Sequence, residues 1–111
     1  MSGRSVLAYA PDLMDRSRLT AAVAGLRVAP TPAALVELAG AELERGDGVV
    51  VLVDLSRRGV LDAVRVLAGR GVRVVGFAPH VDDALSAAGR DAGAEVLARS
   101  RLFARVRTGE W

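Results

Sequence analysis

Cysteine is absent from the sequence, which excludes disulfides and thiolate metal sites and suits a reducing compartment. Lysine, asparagine, glutamine and isoleucine are missing too. Every basic side chain except His80 is therefore arginine, a bias that fits a GC-rich genome better than thermal adaptation. One tryptophan, one tyrosine and two phenylalanines are the only aromatics, so alanine, valine and leucine must fill the core. No apolar run reaches the roughly 18 residues of a membrane span, and no basic, apolar, small-residue leader opens the chain. The expectation is a cytoplasmic protein that makes no use of a membrane. Clustered positive charge is scarce as well. The net charge is +2, too little for a committed nucleic-acid binder.

What is present points to one domain. A chain of 111 residues builds a single core, and 1–111 is read as one unit without a linker. The most informative segment is Gly48-Val49-Val50-Val51-Leu52-Val53-Asp54, an apolar run that ends on a carboxylate. A strand apolar on both faces is covered on both faces, as in the centre of a parallel sheet flanked by helices. Its carboxyl end is where open parallel sheets place their ligand crevice.

The rest of the chain alternates in the same manner. Strands are predicted at Ser5 to Ala10, Arg27 to Ala29, Val49 to Asp54, Val72 to Ala78 and Glu95 to Ala98. Helices are predicted between and after them. Asp12 caps the first, with Asp15 placed as in a capping box, and Thr31-Pro32 opens the second. The third runs from about Val60 to Ala68 and stops at Gly69-Arg70-Gly71. The fourth, from about Asp82 to Ala92, starts with acids that favour its dipole. A short last helix is predicted from Arg101 to about Arg107. The fold class is α/β: a five-stranded parallel sheet with helices on both faces, a (βα)5 flavodoxin-like sandwich.

In element order and spacing the chain resembles the receiver domains of two-component response regulators. The likeness spans nearly the whole sequence and is strongest from Gly76-Phe77-Ala78-Pro79-His80 through Ala92-Gly93-Ala94. The resemblance implies a phosphoacceptor at the end of the third strand, and Asp54 holds that position. The other family positions differ. The acidic pair that binds Mg²⁺ at the end of the first strand corresponds to Ala10-Pro11, which leaves Asp12, one step late, as the remaining candidate ligand. The switch hydroxyl corresponds to Ala78, and the lysine after the fifth strand to Arg99. The loop between Asp54 and Gly59 is also shorter than the family's turn.

Phosphoryl transfer to a carboxylate relies on a divalent cation to neutralise and align the phosphoryl oxygens. Without the acidic pair, the expectation is a pseudo-receiver: a signalling or protein-interaction module, not an enzyme, without cofactor, Mg²⁺ being the one ion left open. Two alternatives stand beside it: a phosphorylatable atypical receiver with Asp54 as acceptor, and an anion binder that uses Arg57, Arg58 and Arg99 at the same edge. Arg99 either pairs with Asp54 across the edge, which mimics a locked state, or points to solvent while Asp54 caps a loop amide.

His80 could serve as acid, base or ligand, but without a second histidine or a cysteine it reads as a loop residue. No G-x-G-x-x-G follows the first strand, which argues against a dinucleotide site. The resemblance also implies pairing, with a protein partner or a second copy, through helix four, strand five and the last helix. There Leu97, Leu102, Phe103 and Val106 accompany Arg101 and Arg105. A helix this short is expected to leave part of strand five uncovered, giving an apolar patch rimmed by arginine. The alternative is that Leu102 and Phe103 close the protein's own core.

Overall fold

Alternating strands and helices build the chain, in a computed structural model that describes residues 4–78 and 82–109. Their order is β1 (Arg4–Tyr9), α1 (Leu13–Ala22), β2 (Arg27–Val28), α2 (Pro32–Glu44), β3 (Gly48–Asp54), α3 (Val60–Gly69), β4 (Arg73–Ala78), α4 (Asp83–Ala92), β5 (Glu95–Ala98) and α5 (Arg99–Thr108). All strands pair in parallel in one sheet, ordered β2-β1-β3-β4-β5. The order reverses between β1 and β3, so the crevice of this sheet opens at their carboxyl ends.

The caps predicted at Asp12 and Thr31 form, and Asp82, read as the first residue of the fourth helix, proves to be its cap. Asp12 accepts a hydrogen bond from the Asp15 amide at 3.0 Å, Thr31 from Ala34 at 3.0 Å, and Asp82 from Leu85 at 2.9 Å. Asp15 does not complete a capping box, because its side chain turns into the molecule. The last helix starts at Arg99, two residues before the predicted Arg101. Ala98 is itself the cap residue, so β5 enters α5 without a loop.

Strand alternation divides the core in two. Val49, Val51 and Val53 join Leu7, Tyr9, Leu35, Val64 and Leu67 under α2, α3 and α4. Val50 and Leu52 join Ala8, Val75, Phe77, Leu19 and Phe103 under α1 and α5. Asp54 is the last residue of this buried strand and is 1% exposed.

The apolar side chains assigned to a docking patch prove to be core. Leu97, Leu102, Phe103 and Val106 are all buried, the most exposed of them at 8%. Alternation on β5 turns Leu97 to the same face as Phe77, and α5 lies over both. The Phe103 ring meets Phe77 with centroids 6.5 Å apart, and the Arg18 guanidinium of α1 lies over the Phe103 ring, 3.9 Å from its centre. Helix α5 therefore covers Leu97, whereas Ala98 of the same strand stays exposed, so part of β5 is uncovered as expected. Arg101 is exposed, whereas Arg105 is held by Glu95 at 2.7 Å. Burial raises the Glu95 pKa, but Arg105 and Arg73 together outweigh it and bring the carboxyl below its usual range.

Candidate functional site

Three carboxylates and two guanidiniums gather at the carboxyl edge of β1 and β3. Asp54 ends β3, and Leu55 extends the ladder by donating to the Phe77 carbonyl at 2.8 Å. The chain then turns sharply enough for Asp54 to hold its own loop. Its Oδ1 accepts from the Ser56 amide at 2.9 Å and from the Ser56 hydroxyl at 2.6 Å. Its Oδ2 accepts from Arg57 Nε at 3.3 Å. Both oxygens are thus engaged within three residues of sequence.

The pair between Asp54 and Arg99 does not form. Arg99 Nη2 donates instead to Asp15 Oδ2 at 3.0 Å, joining α5 to α1. Arg99 also does not point to solvent, since its side chain is 34% exposed and its Nε is buried without a partner among the described residues. The cause lies in the helix starts: Arg99 is the first residue of α5, and Asp15 lies in the first turn of α1. Asp15 is 3% exposed. Burial pushes its carboxyl above the usual range of 3.8, Arg99 offsets part of that rise, and the charges of Asp12 and Asp54 add to it.

Asp12 takes the role of helix cap. The Asp15 amide holds its carboxyl below its usual range, burial opposes this, and the Met14 amide with Arg99 and Arg57 lowers it further. Ala10 is buried and Pro11 exposed where the resemblance would place an acidic pair. Ala78, at the end of β4, is paired with Ala98 and offers no hydrogen-bonding side chain. His80 lies outside the described residues.

In this structure the carboxylates nearest the edge are engaged within the chain. Mg²⁺ takes near-octahedral oxygen ligands from one or two carboxylates. Here Asp54 is committed to Ser56 and Arg57, Asp15 to Arg99, and Asp12 to a helix amide. The guanidiniums of Arg57 and Arg99 already bring positive charge to these carboxylates. Among the described residues, no group of three or more histidine, cysteine or acidic side chains could hold a metal.

Sequence reasoning missed Asp15 as a site residue and assigned it to a cap. The signal was available: Asp15, Leu19 and Val23 recur every four residues, which places the acid on the buried stripe of α1.

Sheet order, helix placement and a buried acid ending β3 define the fold of a response-regulator receiver domain. Among solved structures, the chain is similar to the signal receiver domain of the response regulator NarL from Mycobacterium tuberculosis. The TM-score is 0.75 and the identity 18%, over 97% of this chain and 92% of that one. No family model and no curated protein matches the sequence. No helix among the described residues is long and apolar enough to cross a membrane.

Proposed function

We propose that this protein is a pseudo-receiver: a signalling or protein-interaction module that keeps the receiver architecture and does not use phosphorylation of Asp54. The reading rests on the engagement of both Asp54 oxygens. Ser56 and Arg57 compete with an incoming phosphoryl group for the carboxylate oxygens, and Ala10 and Pro11 stand where the family's cation-binding acids would be. The buried Asp15–Arg99 pair fixes α1 against α5 without any phosphoryl group. The module therefore presents one standing surface to its partner. With Asp54 and Asp15 both consumed by internal pairs, neither is free to act as a general base, in keeping with a binding role over a catalytic one.

The experiment is incubation with acetyl phosphate and Mg²⁺ followed by intact-mass measurement. The proposal predicts no adduct of one phosphoryl group. An adduct that disappears in Asp54→Asn contradicts it and restores the reading of a phosphorylatable atypical receiver.

A further inference from the structure

A groove lies on the other side of Asp54, between the loop after β3, the start of α3 and α4. It has a volume of about 550 Å³, within the range of small-molecule sites. Half-buried Leu61 and Leu85 supply its apolar lining above the buried Leu55, and Arg57, Arg58 and Arg65 bring three guanidiniums to it. Asp62 is the one acid among its lining residues, and it pairs with Arg65 at 2.9 Å. Arg57 spends only its Nε on Asp54, so its terminal amino groups remain available. Arg58 is exposed and has no ion pair among the described residues. No side chain caps α3, whose positive dipole end adds to this field without creating the site.

From this arrangement we infer that the groove binds a small organic anion with an apolar body, of the kind an aryl phosphate ester represents. Three cations against the two carboxylates that pair with them, Asp54 and Asp62, leave Arg58 to select negative charge, and the leucines select a ring or branched chain over a bare ion. Arginine's fork suits the planar or tetrahedral oxygens of carboxylate and phosphate. The anion site suggested by the sequence thus changes membership: Arg57 and Arg58 belong to it, Arg65 joins them, and Arg99 is committed elsewhere. The inference stands apart from the fate of Asp54, because neither metal nor covalent chemistry is involved.

The test is an amide-resonance titration of the full chain with phenyl phosphate, without Mg²⁺, beside inorganic phosphate and an acidic peptide. The inference predicts saturable shifts at Ser56, Arg58, Leu61 and Leu85, and at least tenfold weaker binding of inorganic phosphate and of the peptide. Arg58→Ala with Arg65→Ala, both on exposed positions, weakens phenyl phosphate at least tenfold while leaving the other resonances in place. Binding in the absence of Mg²⁺ separates this groove from a phosphoryl-transfer site. The inference is overturned by shifts that do not saturate, by equal binding of inorganic phosphate, by preferred binding of the peptide, or by unchanged affinity in the double variant.

Discussion

The Arg99 guanidinium meets the buried Asp15 carboxylate at 3.0 Å, so the first turn of α5 is tied to the first turn of α1 across the carboxyl edge of the sheet. Removing one partner leaves the other charge poorly compensated, although the partial exposure of Arg99 lets water screen part of the loss. Arg99→Met is expected to destabilise the protein by about 1–3 kcal/mol. Asp15→Leu in that background should restore part of the loss. Urea midpoints for the double-mutant cycle measure the coupling. Strict additivity of the two changes would count against the tie.

Asp15 also predicts a pH dependence. Its folded-state pKa is raised above 3.8, so between that value and the raised one the folded protein binds more protons than the unfolded chain. Stability from this group is fully present below 3.8 and is lost as pH rises through the raised pKa. Wild type minus Asp15→Asn, followed by denaturant midpoints from acid to neutral pH, should therefore decline as pH rises. A difference that grows over that window reverses the sign and places Asp15 among carboxylates stabilised by their pairs.

Leu55 fills a hollow made by two glycines. A Cβ at Gly76 would stand 2.7 Å from the Leu55 side chain, and one at Gly89 would stand 2.9 Å from it. The residue after Asp54 is thus wedged between β4 and α4. Gly76→Ala is expected to cost about 1–3 kcal/mol through overpacking. Leu55→Ala should cost about 2–5 kcal/mol by leaving a cavity. The double variant should lose less than the sum, because the new methyl group occupies the vacated space. Thermal or urea unfolding of the three variants checks this.

The parts of the fold legible in the sequence were those set by local physics. The β3 run showed its two-sided burial, and Asp12 and Thr31 showed their caps, because a capping oxygen needs only its own backbone three residues on. The loop that Asp54 closes on Ser56 and Arg57 is equally local. Arg99 was different. Its partner depends on where two helix starts meet in space, 84 residues apart, and on β5 passing into α5 without a loop. The apolar residues of α5 misled for a related reason: one short helix looked insufficient until Arg18 of α1 completed the cover over Phe103.

Phe103 provides a direct measure of that correction. With 4% exposure, it belongs to the core, and Phe103→Ala is expected to cost about 3–5 kcal/mol in chemical denaturation. A loss under about 1 kcal/mol, within the range of surface changes, would return Phe103 to the surface patch.

The account turns on Asp54 being closed by its own loop. The most direct measurement is an amide-resonance spectrum with beryllofluoride and Mg²⁺, a stand-in for the phosphoryl group on a carboxylate. The account predicts no change at Asp54, Ser56, Arg57 or Ala78 up to saturating reagent, and an unchanged melting temperature. Saturable, Mg²⁺-dependent shifts at those residues that vanish in Asp54→Asn would contradict it.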